Sequence, residues 1–201
     1  MRIELDKENY LTGNYATIGG GKSWVEVDNL PIFPIFTDDE DFSNKIICYK
    51  YVNGEFTFDK EKYNETKLKR ISEELNIKKK TLIAQSRQNL ADYLACHTVT
   101  SACHGEPAEY SITSEKQSYL ANMIMTSQIA QAAGIDFKPS WNATGQVSTY
   151  DWTLEQLQQL TFEIEAVVRP LVSKQQEMEI QLTSAQSLEE LELVDISFNN
   201  I

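Results

Sequence analysis

Tyr49-Lys-Tyr-Val-Asn-Gly-Glu-Phe-Thr-Phe-Asp59 holds both of the periods from which a fold class is read. As far as Phe58 the residues suit paired strands. Asn53-Gly54, between Ile46–Val52 and Glu55–Phe58, is the dipeptide that tolerates positive φ at both centres of a type I′ turn. At Asp59 the period changes. An aspartate there can accept from the free N–H groups that open a helix, and Phe58 and Tyr63 occupy the two positions of a hydrophobic staple. Beyond it Leu68, Ile71, Leu75, Leu82, Ser86, Leu90 and Tyr93 recur at helical intervals, with Lys60, Lys62, Lys67 and Lys78-Lys-Lys80 on the other faces. The lysines read as a solvated face.

Toward the N-terminus the pattern stays two-residue. Ile3 and Leu5 alternate with Arg2 and Glu4, and Val25 and Val27 with Trp24 and Glu26, while Gly19-Gly-Gly21 offers a turn after Tyr15-Ala-Thr-Ile18. Pro31, Pro34 and the acidic run Asp38–Asp41 mark a loop that cannot join a ladder. Toward the C-terminus helices dominate. Tyr110-Ser-Ile-Thr-Ser-Glu-Lys-Gln117 predicts a helix start with Ser114 as cap and Gln117 reaching back, with Tyr119, Leu120, Met123, Ile124, Ser127, Ile129 and Ala130 inside and Gly134 as a left-handed end. Phe137 to Tyr150 predicts a short aromatic hairpin turning near Thr144-Gly145, in which Trp141, Val147 and Tyr150 cover helix ends.

Thr153-Leu-Glu-Gln-Leu157 opens the next helix in the same hydroxyl-x-x-amide form. Its stripe, Leu157, Leu160, Ile164, Val167-Val168, Leu171, Met178 and Leu182, is close to the repeat that seeks a partner helix, and Pro170 predicts a kink or break near Ala166 to Arg169. Ser187-Leu-Glu-Glu190 is a third capping box opening a short terminal helix, and Val194–Phe198 ends as a strand or tail. The expected fold class is α+β: a small antiparallel β module over 1–58, a long amphipathic connecting helix over 59–100, and a helical domain over 101–201 with a hairpin near 137–150. Two long one-sided helices also lead us to expect a homo-oligomer.

The 201 residues, 41% of them hydrophobic, suffice for a real core. A net charge of −12 and a pI near 4.6 disfavour nucleic acid as a partner, because a phosphate backbone would be repelled by most of the surface. No apolar run approaches the roughly 18 residues of a membrane helix, and Met1-Arg-Ile-Glu-Leu-Asp6 lacks the apolar core of a signal peptide, so no membrane partner and a cytoplasmic site of synthesis are expected. Three cysteines without framework spacing read as reduced thiols.

For chemistry, the candidates are Cys96-His97 and Cys103-His104, whose thiolate and imidazole groups are a ligand set for tetrahedral zinc. Adjacent residues on a helix diverge by about 100°, however, and no third residue orients a Cys-His dyad, so ordinary helix-end residues are the expectation and no cofactor or metal is assigned. Gly19-Gly-Gly-Lys22-Ser23 lacks the first glycine of a phosphate loop and precedes a strand rather than a helix. The carboxylates sit in exposed-looking runs rather than singly in apolar surroundings, and we expect no enzyme. Interaction would rest instead on Trp24, Tyr110, Trp141, Trp152 and the stripe residues Leu157, Ile164 and Leu171. Trp141 and Trp152 could stack a sugar or a base, but lacking a basic or amide-rich groove in the sequence pattern they read as core.

The opening Ile3–Tyr10, Tyr15-Ala-Thr-Ile-Gly19, the valine-rich strand and Tyr49–Asp59 resemble the N-terminal module of small tail proteins in phages and prophages of Gram-positive bacteria. The His104-Gly105 turn, Tyr110–Gln117, the Trp141 segment, Thr153–Leu157 and Ala185–Leu191 resemble a domain of uncharacterised function in tail-fibre and tail-fibre-assembly-like proteins. The order of these segments carries the resemblance, which covers most of the chain. It implies a structural or interaction role at the tail tip or baseplate or in fibre attachment, with neighbouring tail or fibre proteins as partners and no catalytic residues to transfer. The chain would then reside in the virion tail, and in the host cytoplasm during assembly. An assembly chaperone absent from the virion and a receptor- or carbohydrate-binding tip are the alternatives.

Overall fold

The computed structural model describes residues 2–16, 23–27 and 45–198. The expected Gly19–Gly21 turn, Pro31, Pro34 and the Asp38–Asp41 run lie outside them. The fold is α+β: a small antiparallel sheet module at the N-terminus, a long helix, and a mainly helical C-terminal region. Contacts divide the chain into two compact units, Met1–Glu74 and Leu75–Ile201.

In the first unit β1 (Arg2–Leu5) lies between β2 (Leu11–Ala16) and β3 (Trp24–Glu26), antiparallel to both. Ile3 and Leu5 are buried, as their alternation predicts, and pack with Leu11, Val27 and Tyr49. The hairpin β4 (Tyr49–Val52) and β5 (Glu55–Phe58) pairs in the predicted register, Val52 opposite Glu55. Its turn puts Asn53 at φ 52° and Gly54 at φ 90°, both in the left-handed region that a type I′ turn requires. The strand begins three residues later than Ile46, because 45–46 are helical and 47–48 form a turn.

Helix α1 (Lys60–Cys96) starts where the period changes. Asp59 Oδ1 accepts from the Lys62 N–H at 2.9 Å, and the Phe58 and Tyr63 rings lie 5.6 Å apart, so cap and staple both form. The inward face is not uniform. Leu68 and Ile71 are exposed, whereas Ser86 and Leu94 are buried. The unit boundary falls inside this helix, so each unit takes part of it.

The helix stops at Cys96, short of residue 100. A hairpin follows, β6 (Thr98–Ser101) with β7 (Ala108–Ser111), which the helical reading of this stretch missed. Thr98, Val99 and Thr100 are β-branched and favour the pleat. Glu109, across the ladder, accepts from the Thr98 hydroxyl and from the Thr100 hydroxyl at 2.6 Å, which fixes the pairing.

Helix α2 (Ser114–Ala132) is capped by Thr113, one residue before the expected Ser114. Thr113 Oγ1 accepts from the Lys116 N–H, and Gln117 donates to the Ile112 carbonyl at 2.7 Å. The left-handed end is as predicted: Gly134 has φ 66° and Ile135 N–H returns to the Ala130 carbonyl at 2.9 Å. Leu120, Ser127 and Ala130 face inward, but Tyr119 and Ile129 are exposed, contrary to the expected inner face.

The 137–150 segment is a loop closed by one antiparallel bridge, Trp141 to Thr149, rather than a hairpin. Asn142 explains this, since its Nδ2 donates to the carbonyls of Ala143 and Gln146 at 3.0 and 3.1 Å, engaging acceptors a ladder would use. Trp141 is buried, while Val147 and Tyr150 are exposed and cover nothing within the described residues.

Helix α3 (Leu154–Ser184) carries the full capping box on Thr153 and Gln156 and runs through Pro170 without the expected break. Pro170 and Ala166 both face solvent, so the carbonyl deprived of a donor is open to water. Leu157, Leu160, Ile164 and Val168 before it and Leu171, Met178 and Leu182 after it are buried on the opposite face and hold the axis. Val167, by contrast, is exposed. Helix α4 (Leu188–Glu192) opens on Ser187, whose hydroxyl accepts from the Glu190 N–H. The Glu190 carboxylate accepts from the Gln186 N–H at 2.6 Å rather than from Ser187, so only half of the expected box forms. The tail through Phe198 packs without forming a strand, Phe198 lying against Tyr93.

Candidate functional site

One face of α2 and the Trp141 loop enclose an open groove of about 350 Å³. Lys116, Tyr119, Asn122, Met123 and Thr126 recur at three- and four-residue steps and so share a helix face. Phe137, Ser140, Trp141, Asn142 and Ser148 supply the other wall. The loop wall is held from behind, because Thr144 N–H donates to the Glu109 carbonyl on β7 at 2.7 Å and Trp141 bridges Thr149.

Asn142 organises the groove floor. Besides its two donations to carbonyls, its Oδ1 accepts from Lys116 Nζ at 3.4 Å and from Ser148 Oγ at 3.3 Å, which accounts for all of its bonding capacity. Lys116 Nζ also lies 5.4 Å from the centre of the Trp141 ring, a cation–π distance. Among the described residues the side chains of Tyr119, Asn122, Thr126 and Ser140 have no hydrogen-bond partner. Lys116 is the one charged residue of the lining.

The residues expected to form an interaction surface lie elsewhere. Tyr110, Trp141, Trp152, Leu157, Ile164 and Leu171 are all buried in one core with Leu94, Leu120 and Leu160. The α3 stripe that seeks a partner therefore finds it within its own chain, and the basis for expecting self-association through it is lost. Trp24 is half-buried on β3. Of these residues only Trp141 also borders the groove; Tyr119 and Phe137 read in the sequence as helix interior and hairpin, and Asn122 carries no mark there of a site. The aromatic and amide residues at positions 119, 122, 137 and 142 are the signal, but their convergence depends on the loop's return to α2.

The Cys-His pairs do not converge on a common centre. His97 stacks on Tyr93 at 3.8 Å with Nδ1 2.7 Å from the Tyr93 carbonyl, as befits a helix end. His104 stacks on Trp152 at 4.2 Å, its Nε2 3.5 Å from Asp151. Cys96 is exposed and Cys103 is buried. Among the described residues no group of three or more histidine, cysteine, aspartate or glutamate side chains is placed to hold a metal ion.

Displaced titrations arise from burial and from bonds between side chains. Burial, then a hydrogen bond with Ser101 acting in opposition, leaves the Cys103 thiol raised, the reverse of an activated nucleophile. Burial likewise raises Tyr110. Tyr10 is pushed up to about 12, chiefly by donating to Asp59 at 2.6 Å, and the same bond lowers Asp59. Glu179 is drawn down to about 2 by Arg87 and then by Gln175. One buried oxygen, Glu163 Oε2, has no partner among the described residues; Glu163 Oε1 accepts from Gln159 at 2.9 Å.

No family model, curated protein or solved structure matches the chain. Among the described residues no helix is long and apolar enough to cross a membrane.

Proposed function

We propose that this chain is a non-catalytic interaction protein of a phage tail, acting at the tail tip or baseplate or in fibre attachment and contacting neighbouring tail or fibre proteins. The order of segments from Ile3–Tyr10 to Ala185–Leu191 supports the tail assignment. The interaction role is carried by one structural observation. The strongly displaced titratable groups, Tyr10 and Glu179, serve as clamps between elements, whereas the groove is lined by aromatic, amide and hydroxyl groups with a single charge. Such a lining supports a binding role.

Protein analysis of purified particles tests this. A component is present at fixed copy number, whereas an assembly chaperone is found in infected cells and missing from finished virions. Absence from both virions and assembly intermediates would sink the tail reading. Self-association, where it occurs, would draw on Leu68 and Ile71, which remain exposed on α1, rather than on the α3 stripe.

A further inference from the structure

We propose that the groove between α2 and the Trp141 loop binds a pyranose ring of a saccharide, neutral or bearing an acidic substituent. Tyr119 on α2 and Phe137 on the loop, 54% and 37% exposed, leave aromatic surface open to water in the groove lining. An aromatic face is the surface against which the C–H side of a sugar ring packs, each such contact exchanging ordered water for dispersion. The polar requirement is met beside it. Vicinal hydroxyls each donate and accept, and Asn122, Thr126 and Ser140 offer amide and hydroxyl groups that no other described residue engages.

The groove is also formed in advance. Asn142 is saturated, so the loop wall is ordered by bonds within the protein and needs no ligand to set it. Its volume of about 350 Å³ is at the small end of small-molecule sites, room for roughly one or two sugar rings.

Charge narrows the class. The chain has 30 acidic and 18 basic residues, yet the groove lining contains no carboxylate and one lysine. A basic ligand would find no counter-ion there. Lys116 has three N–H groups and directs one to Asn142, leaving donors for a ring hydroxyl, a carboxylate or a phosphate ester. An apolar helix suits the groove poorly, because six of its ten lining residues are polar or charged. Stacked nucleic acid would bring phosphates to a chain of net charge −12.

The assignment does not rest on the tail role, and each can fail without the other. Saturation-transfer NMR on the full chain with the methyl pyranosides of glucose, galactose, N-acetylglucosamine, rhamnose and glucuronic acid is the test. At least one glycoside should receive saturation on its ring C–H protons and shift the Trp141 indole N–H resonance. Tyr119→Ala and Phe137→Ala should each weaken that binding about tenfold while the rest of the amide spectrum is unchanged. Lys116→Gln should abolish any preference for the glucuronide over the glucoside. Saturation of no glycoside, or saturation indifferent to both aromatic substitutions, overturns the assignment. So does a Trp141 shift produced by an amphipathic peptide and by no sugar.

Discussion

The two units are held together by different means. Among the described residues the first has a core cluster of five buried residues around Ile3, and polar bonds reinforce it: Tyr10 to Asp59, Asp6 to Lys62 at 3.7 Å, and Lys62 Nζ 3.1 Å from the centre of the Tyr10 ring. The second buries fifteen residues in one cluster, from Leu94 to Phe198. Hydrophobic stabilisation grows with buried area, so a small sheet module depends on each core side chain and each clamp more than a helical body does.

Equal deletions in the two units should break this symmetry most visibly. Ile3→Ala and Leu160→Ala each remove a fully buried branched side chain at a cost of about 3 kcal/mol. For the first unit that is about the whole stability expected of so small a core, so Ile3→Ala should erase the amide dispersion of residues 2–58 while leaving residues 98–198 unchanged in a nitrogen–proton correlation spectrum. Leu160→Ala should only lower the melting temperature of the second unit. Loss of both sets of signals in Ile3→Ala would refute independent cores.

Pro170→Ala has the opposite sign. The new N–H restores a helical hydrogen bond, and after allowing for the freer unfolded chain the second unit should gain about 2 kcal/mol by urea titration. Thr153→Ala should cost the same unit about 1 kcal/mol, since the hydroxyl's bond to the Gln156 N–H at 3.2 Å is lost.

The smallest effect depends on pH. The Glu179 carboxyl is held at about 2 in the folded chain, below its ordinary 4.5, so it binds protons less readily folded than unfolded. Its contribution is complete above pH 4.5 and is lost as pH falls from there through about 2. Arg87 is largely exposed, so solvent screens the pair and keeps the effect small. Glu179→Gln should therefore be less stable than the parent at pH 6 and converge with it in acid, as read by denaturant midpoints. A constant gap across the range would show that the charge contributes nothing.

Much of the fold was legible where local chemistry decides it. Asn53-Gly54, the Asp59 cap, Gly134 and the Thr153 box each act within a few residues, and each forms as read, while Ser187 forms only the hydroxyl half of its box. Readings failed where neighbouring groups competed for the same backbone bonds, or where tertiary contacts decided. Thr113 outcompetes Ser114 as a cap, α3 passes Pro170 because buried side chains on the far face hold it, and Asn142 withdraws carbonyls from a hairpin that alternation alone would predict. The β6–β7 pair was obscured because a helical stripe and two Cys-His pairs drew the same residues into a helix end.

The site was less legible still. A tryptophan in sequence does not disclose whether it is a core ring or a groove wall, and Trp141 is both, whereas Trp152 is spent on His104 and Tyr110. The groove is composed of residues separated by as many as 32 positions, Lys116 to Ser148, and no local spacing connects its helix wall to its loop wall.

Cys96 is exposed at the end of α1, while Cys48 and Cys103 are buried. A maleimide probe should accordingly attach at one position in the native protein and at further ones only on unfolding, giving an unmutated reporter of opening. The same accessibility lets air join two chains through Cys96, so a dimer that reductant dissolves would be a covalent artefact of storage rather than an assembly held by packing.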